Sequence, residues 1–219
     1  MPLLTDEATA RAWIATLPGV SRETWSQLDG FAELLLAENE RQNLVAKSTV
    51  EPDVLWTRHI ADSAQLLHHA RGFDGRACRW VDLGSGAGLP GLVVAIIAPH
   101  ITMTLVETRK RRCDFLRDCV ERLQLGDRVA VVESRSEKFV ESKPFDIISA
   151  RAFAPLPDLI AVSRHLAGSG TMWLLPKGQN AAKELSSAPA SWQKMFHVEP
   201  SLTDDAAGII IGRGLPPTR

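Results

Sequence analysis

The sequence contains three cysteines and no long apolar run, and each scarcity excludes a class of protein. Cys78, Cys113 and Cys119 form no C-x-x-C pair, and an odd number of cysteines provides no disulfide framework, so we expect reduced thiols. The longest apolar run, at 91–98, is far short of the roughly 20 residues that a membrane-spanning helix requires. We therefore expect no membrane partner.

Targeting and metal-binding signals are missing as well. The first thirteen residues meet charged side chains at once and lack the basic region and apolar core of a secretory signal. Six histidines are present, but none belongs to an H-E-x-x-H motif or a comparable ligand set. These absences predict a cytoplasmic protein that binds no metal.

The formal net charge of −1 does not by itself favour a nucleic-acid partner. The distribution of the charge says more, because "RKRR" at 109–112 places four cations in succession. A solvated helix start is the ordinary interpretation of such a run. Positive charge is unfavourable at a helix N-terminus, however, and this local cost favours an anionic partner.

The chain divides into a helical part and a part in which strands alternate with helices. Apolar residues recur at three- and four-residue spacing in 25–46 and 54–70, which predicts an N-terminal helical extension over 1–72. Residues 73–219 then form the main domain, with 45% of the whole chain hydrophobic and 23% charged, as in ordinary globular proteins. Buried strands are predicted at 79–83, 101–107, 128–134, 145–150 and 171–177.

This alternation predicts an α/β fold with a doubly wound, mostly parallel sheet covered on both faces. Two further strands, 195–202 and 208–214, are separated only by "TDDAA", which is too short for a crossover helix. We therefore expect an antiparallel C-terminal hairpin at the edge of the sheet.

The stretch "WVDLGSGAGLPG" (80–91) contains two overlapping glycine patterns. The run 86–91 satisfies G-x-G-x-x-G, a pattern for dinucleotide phosphates, whereas 82–88 places an acid before three alternate glycines. The strand ends at Leu83, so the second pattern is in register with the strand. Pro90 fits the first turn of a helix, which predicts that this helix begins near Leu89.

An acidic residue also ends the next predicted strand. Glu107 follows Gly88 by 19 positions, close to the roughly 20-residue offset at which an acid meets ribose hydroxyls. This context favours a nucleoside cofactor over a simple tight turn. An acid at this position serves NAD and S-adenosylmethionine alike, and NAD stays open at this point.

Five segments in order resemble the bacterial 16S ribosomal RNA guanine-N7 methyltransferases, the family also called glucose-inhibited division protein B. They are "RHIADS" (58–63), "VDLGSGAGLPG" (81–91), "SRSEKF" (134–139), "SARAF" (149–153) and "LPKG" (175–178). The resemblance runs from about residue 25 to residue 178. It implies a Rossmann-like fold and methyl transfer from S-adenosylmethionine to N7 of one guanine in the decoding-region loop of 16S rRNA.

The glycine pattern, the cationic run and the resemblance together predict roles for individual residues. Those expected to bind the cofactor are Asp82, Gly84, Ser85, Gly86, Gly88, Leu89, Glu107, Ser136, Glu137 and Arg151. Those expected to contact RNA are Arg58, Arg109, Lys110, Arg111, Arg112, Arg135 and Lys177. The expected partner is 16S rRNA within the small (30S) subunit or an assembly intermediate, and the protein is expected to act as a monomer.

Guanine N7 already carries a lone pair, so its methylation needs no catalytic base, and we nominate none. Arg151 is the candidate for positioning, and the alternative is a structural salt bridge to Asp146 or Glu107. His59 is without an assigned role, since an isolated histidine is usually structural. A small-molecule methyltransferase and a non-catalytic RNA-binding protein are the competing hypotheses for the whole chain.

Overall fold

Seven strands form one sheet in the order β3-β2-β1-β4-β5-β7-β6. The computed structural model describes residues 2–73 and 75–218. The strands are β1 (Cys78–Leu83), β2 (Ile101–Glu107), β3 (Val129–Glu133), β4 (Ile147–Ser149), β5 (Met172–Lys177), β6 (Phe196–Pro200) and β7 (Gly208–Arg213). The first five pair in parallel. Four of them lie within the runs predicted from the sequence, and β1 begins one residue earlier than its run. The predicted doubly wound α/β fold is confirmed.

The C-terminal hairpin is also confirmed, and its placement is more specific than the sequence predicted. Strand β7 pairs antiparallel with both β5 and β6, so it lies inside the sheet and β6 forms the edge. The apolar run 209–211 is buried at this inner position. The half-polar β6, with His197 and Glu199, occupies the exposed edge.

Helices cover both faces of the sheet, as the buried strands require. They are α5 (Gly91–Ile97) between β1 and β2, α6 (Lys110–Arg122) between β2 and β3, and α7 (Leu156–Ser163) between β4 and β5. Two short helices, α8 (Ala181–Ser186) and α9 (Ala190–Gln193), precede the hairpin. The α7 face packs against strand residues such as Ile148 and Trp173 in one buried cluster.

The N-terminal part consists of α1 (Glu7–Ile14), α2 (Arg22–Gln42), α3 (Pro52–Leu55) and α4 (Asp62–His69). Asp6 and Ser21 cap α1 and α2 by accepting hydrogen bonds from the backbone three residues later. The apolar faces bury Phe31, Ile60 and Leu66 in the same cluster as Val93 of α5. The extension therefore shares its core with the sheet, while a boundary at residues 72 and 73 stays a prediction.

A π-helical segment, Trp56–Ala61, joins α3 to α4 without a break. Such insertions widen the helix by one residue per turn and are frequent at functional sites. Here the segment carries Arg58 and His59. No helix within the described residues is long and apolar enough to cross a membrane.

Candidate functional site

The carboxyl ends of four neighbouring parallel strands lie side by side. Their last residues are Leu83 of β1, Glu107 of β2, Ser149 of β4 and Lys177 of β5. Ligands in doubly wound sheets bind outside these carboxyl ends. The residues singled out in the sequence therefore lie together at the carboxyl ends of these strands.

The backbone amides of the glycine loop, residues 84–90, are largely engaged within the protein. Gly84 and Ser85 donate to the carbonyl oxygen of Val106 at 2.8 and 3.2 Å. Gly88 and Leu89 both donate to the carbonyl oxygen of Ser85, at 2.7 and 3.2 Å. Few amides are therefore left for the phosphates of a dinucleotide.

The first helical residue after this loop is Gly91, so the predicted start near Leu89 is wrong by two positions. The reason is local: the Leu89 amide closes a turn onto Ser85, and Pro90 has no amide hydrogen and stands at the N-cap. A Cβ on Gly91 would lie 2.3 Å from the Leu105 side chain of β2. The last glycine of the dinucleotide-like pattern thus permits close helix-to-strand packing.

Gly84 is required by both conformation and space. Its φ is +69°, in the left-handed region, and a Cβ there would lie 2.4 Å from Cδ2 of Phe153. The ring of Phe153 therefore rests directly on the start of the glycine loop.

Asp82 lies beneath the loop and is completely buried. The Ser149 hydroxyl donates to its Oδ1 at 2.7 Å, and the amide of Gly91 donates to its Oδ2 at 3.3 Å. Trp80 Nε1 in turn donates to the Ser149 hydroxyl oxygen at 2.8 Å. Burial raises the pKa of Asp82 to about 6, and the hydrogen bonds oppose that rise. Asp82 thus joins β1, β4 and α5 and shapes the loop from behind.

Glu107 is almost fully buried, and its carboxylate accepts four hydrogen bonds. Oε1 accepts the amides of Thr108 and Arg109 at 2.7 and 2.8 Å and the Thr108 hydroxyl at 3.2 Å. Oε2 accepts the amide of Gly86 at 3.0 Å. The carboxylate therefore fixes the glycine loop to the start of α6.

A cavity of about 370 Å³, the glycine-loop cavity, opens beside these groups. Its lining includes Gly84, Glu107, Arg109, Arg112, Ser136 and Phe153. Arg135 and Glu137 also line it, and their side chains lie 3.9 Å apart. The structure thus brings together the residues predicted for the ribose and adenine sides. The other residues predicted to bind the cofactor do not line this cavity: Asp82, Ser85, Gly86, Gly88, Leu89 and Arg151.

A second cavity of about 560 Å³, the Arg151 cavity, lies across residues 152–153, which line both. It is lined by Arg58, His59 and Asp62 from the N-terminal helices, by Arg151 and Phe153, and by Lys177. Sequence reasoning did not single out Asp62 or Phe153. The signal was nonetheless present, since they lie within "RHIADS" and "SARAF".

Arg151 connects the main domain to the N-terminal extension. Its Nη1 donates to Oδ2 of Asp62 and to the carbonyl oxygen of Arg58, each at 3.1 Å. The alternative partners expected from the sequence were wrong: Asp146 accepts the amide of Arg79, and Glu107 holds backbone amides. The sequence does not show that Asp62 is the partner of Arg151, because the two residues are 89 positions apart.

His59 is buried and uncharged at neutral pH. Burial, with the nearby charges of Arg151 and Arg58, lowers its pKa from 6.5 to about 3. Arg151 Nη2 lies 3.3 Å from Nδ1, and Nε2 lies 2.8 Å from the Thr49 hydroxyl. An arginine can only donate, so Nδ1 accepts and the ring proton sits on Nε2. His59 therefore supports Arg151.

Lys177 is mostly buried and ties the loop after β4 to the loop after β5. Its Nζ donates to the carbonyl oxygen of Ala154 at 2.5 Å and lies 2.9 Å from Oε2 of Glu184. The same Glu184 oxygen accepts the amide of Leu156 at 3.0 Å. Residues 151–156 are consequently held at both ends, and nothing in the sequence marked Glu184 for this task.

The cations at 109–112 differ in their pairing. Lys110 lies 2.8 Å from Asp114, and Arg112 lies 3.8 Å from Glu107. Arg109 and Arg111 are exposed, and no acidic side chain within residues 2–73 and 75–218 pairs with them. Arg58 pairs with Asp204 at the mouth of the Arg151 cavity. The edge thus presents a partly unpaired cationic rim.

The polar and charged groups around the two cavities are suited to binding and positioning a ligand rather than to reacting with it. The rim can hold an anionic polymer, and the glycine-loop cavity can hold a nucleoside by its hydroxyls and ring. In the part of the chain that the structure describes, no three His, Cys, Asp or Glu side chains form a group that could hold a metal ion.

Comparison with known proteins assigns the family. Residues 24–205 match the family model GidB, described as rRNA small subunit methyltransferase G. The chain is 52% identical to ribosomal RNA small subunit methyltransferase G of Sphingopyxis alaskensis, over 97% of this chain and 88% of that protein. It is 49% identical to the protein of the same name from Rhizorhabdus wittichii, over 96% of this chain and 94% of that protein.

The fold agrees with solved methyltransferase structures at low sequence identity. Ribosomal protein L11 methylase of Lactobacillus delbrueckii subsp. bulgaricus superposes with a TM-score of 0.55 and 15% identity, over 72% of this chain and 79% of that one. This likeness concerns the fold alone, whereas the family match spans most of the chain. The chain belongs to the rRNA small subunit methyltransferase G (GidB) family.

Proposed function

We propose that the protein transfers a methyl group from S-adenosylmethionine to N7 of one guanine in 16S rRNA, within the small subunit or an assembly intermediate. The observation that carries this proposal is the pair of cavities that meet at residues 152–153 in a chain of this family. One cavity suits a nucleoside. The other is lined by Arg58, Arg151 and Lys177, while the rim residues Arg109, Arg112 and Arg135 border the first.

The lining of the glycine-loop cavity fits S-adenosylmethionine better than NAD. The loop amides are engaged with protein acceptors, which disfavours a diphosphate. The backbone of Gly84 would hold the amino-acid end of the cofactor, Glu107 its ribose, and Ser136 and Glu137 its adenine. Leu89, whose amide donates to Ser85, would help to fix the loop. Asp82, Ser85, Gly86 and Gly88 would keep the loop in shape beneath it.

When bound, S-adenosylmethionine would supply an electrophilic methyl group, whose transfer to the N7 lone pair would leave S-adenosylhomocysteine and a cationic purine. The protein's task is to align the two groups, an effect that can contribute about 7–11 kcal/mol. Arg151 is suited to hold guanine O6 or a phosphate. Direct contact of its charge with N7 would oppose the cationic product.

The cationic rim would bind the RNA backbone. Arg58 lines the Arg151 cavity, and Arg109, Arg112 and Arg135 line the glycine-loop cavity. Lys110 and Arg111 follow in the first turn of α6, where Arg111 lines a separate groove with Glu38 and Asp118. Lys177 would reach RNA only by leaving Glu184, because the two are paired at 2.9 Å. We also propose that the protein acts as a cytoplasmic monomer and needs no metal.

A labelled methyl-transfer assay tests the function. The purified protein is incubated with labelled S-adenosylmethionine and with small subunits that lack their N7 mark, and the modified base is located by chemical strand cleavage. Label at a single guanine N7 is expected. Intact cofactor binding without label on the subunits, on isolated 16S rRNA or on assembly intermediates would contradict the proposal and favour a small-molecule substrate.

A further inference from the structure

Phe153 is an exposed aromatic side chain at the junction of the two cavities. Its residue is 37% exposed, and only Leu3, Val140 and Leu215 are comparable large apolar residues among those that the structure describes. Phe153 alone of these lines both cavities. Scattered exposed apolar residues are ordinary, but an aromatic ring placed between two binding cavities is in position to contact both occupants.

The loop that carries Phe153 is fixed at both ends. Arg151 is held by Asp62, and Ala154 is held by Lys177, whose partner Glu184 also accepts the amide of Leu156. Between these anchors Ala152 adopts a φ of +50°, a left-handed conformation that is unfavourable for alanine. The ring is consequently presented by an ordered loop, so little conformational entropy is lost when a ligand packs on it.

We propose that the target guanine, turned out of its RNA loop, enters the Arg151 cavity and stacks on the Phe153 ring. This inference rests on the proposed function and names the part of the site that receives the base. Enzymes that modify a base take it out of the stack, and single-stranded bases are commonly held on aromatic side chains. The cavity volume of about 560 Å³ lies within the range of small-ligand pockets.

The charge of the product favours an aromatic platform over a polar one. Methylation at N7 makes the purine cationic, and the face of an aromatic ring attracts a cation. An arginine in the same place would repel the product. Arg58 and Arg151, which line the same cavity, would reach the phosphates and O6 by sharing or exchanging their present partners, Asp204 and Asp62.

The variants Phe153→Leu and Phe153→Tyr separate stacking from simple coverage of Gly84. Leucine keeps an apolar side chain over the glycine, whereas tyrosine keeps the aromatic face. Three quantities are measured on the full chain: the Kd of S-adenosylmethionine by calorimetry, the Kd for unmethylated small subunits by filter binding, and kcat and KM for methyl transfer. Leu215→Ala, a change at a remote residue of similar exposure (39%), is the matched control.

We expect Phe153→Leu to lower kcat/KM by about 5- to 150-fold, since stacking on one base is worth about 1–3 kcal/mol. Its Kd for S-adenosylmethionine should stay within about twofold of the wild type, and its Kd for small subunits should rise, while Phe153→Tyr should retain most activity. Unchanged kcat/KM in Phe153→Leu, or a loss accounted for by weaker cofactor binding, would overturn the inference. Absence of methylation by the wild type would overturn the proposed function and this inference with it.

Discussion

The two cavities are built by different means. The glycine-loop cavity draws its polar groups from strand ends and turns between residues 84 and 137, together with 152–153, and backbone amides of Gly86, Thr108 and Arg109 fix its carboxylate Glu107. The Arg151 cavity is assembled from side chains that span residues 49 to 209. Local backbone geometry makes the first cavity, and long-range ion pairs make the second.

This difference has consequences for rigidity. Three ion pairs border the Arg151 cavity: Arg151 with Asp62, Lys177 with Glu184, and Arg58 with Asp204. The Arg58 side chain is 49% exposed and can exchange its partner for a phosphate at small cost. The glycine loop is instead closed by main-chain hydrogen bonds. We infer that the outer cation of the Arg151 cavity, Arg58, can adapt to a ligand, whereas the glycine loop is preformed.

The largest effect is expected from Arg151→Ala, in the Arg151 cavity proposed to receive RNA. The substitution releases residues 151–153 from Asp62 and removes a donor from the cavity, and misplacement by about 1 Å can cost about 100-fold in rate. We expect methyl transfer to fall by about this factor or more while the circular dichroism spectrum and cofactor Kd stay unchanged. Single-turnover rates on unmethylated small subunits provide the measurement.

The matched control for Arg151→Ala is Arg79→Ala. Arg79 is also a partly buried arginine with a carboxylate partner, Glu141, but it lies at the opposite end of β1. Its loss should leave the rate unchanged. An unaltered rate in Arg151→Ala would remove this residue from the active site.

Glu107→Gln tests cofactor binding in the glycine-loop cavity. The amide group of glutamine would face backbone N–H groups that now donate to a carboxylate, and one unsatisfied donor costs about 1–3 kcal/mol. The Kd of S-adenosylmethionine should therefore rise about tenfold, with no direct effect on RNA affinity. Calorimetric titration of the cofactor measures the change.

Glu133→Gln is the control, because Glu133 is the in-register neighbour of Glu107 on β3 and pairs with Arg117 at 3.6 Å. Equal cofactor affinities in the two variants would show that the buried carboxylate has no special part in holding the cofactor.

A smaller effect is expected from Arg109→Gln combined with Arg111→Gln on the rim. Both residues lack an acidic partner among the described residues, so both are available to phosphates. RNA affinity should fall, and the slope of log K against log salt should become shallower by about 2, since each lost phosphate contact removes about one unit. Filter binding at several salt concentrations measures the slope.

Arg117→Gln combined with Arg122→Gln removes the same charge from the same helix, at residues paired with Asp114 and Asp118. An identical slope change in both double variants would mean that net charge, and not the position on the rim, governs binding.

The last prediction concerns stability rather than activity. The pKa of His59 is lowered from 6.5 to about 3 in the folded protein, so the unfolded chain binds the extra proton first as the pH falls. The stability contributed by neutral His59 is fully present above pH 6.5 and declines by about 1.4 kcal/mol per pH unit below it. Between pH 6.5 and 5, wild type should lose about 2 kcal/mol relative to His59→Gln.

Urea unfolding of both proteins at each pH isolates this difference, because shifts at other groups such as Asp82 are common to the two. Parallel stability curves would show that His59 is not held neutral behind Arg151.

The sequence indicates the layout of the glycine-loop cavity because the residues that determine it are close together in the chain. A strand end, three alternate glycines and an acid one strand further on are visible in order, and Asp82 to Glu107 spans one strand–helix–strand unit. The start of α5 was misplaced because Pro90 fits either the first turn or the N-cap, and only the turn hydrogen bonds of Ser85 decide between them.

The Arg151 side could not be predicted to the same depth. Asp62 and Arg151 are 89 positions apart, and Lys177 meets Ala154 from a different strand. Such pairings follow from sheet order and from the packing of the N-terminal helices, which no local pattern specifies. The family resemblance indicated Arg151 and Lys177, but the buried contact of Lys177 with Glu184 became visible only in the fold.

Photo-crosslinking tests most directly whether the target base occupies the Arg151 cavity while the cofactor occupies the glycine-loop cavity. The target guanine is replaced by 6-thioguanine in otherwise native small subunits, S-adenosylhomocysteine fills the cofactor side, and crosslinked peptides are identified by mass spectrometry. Crosslinks within residues 151–155 or 58–62 are the result that the account predicts. Crosslinks confined to residues 134–137, on the cofactor side, would contradict it.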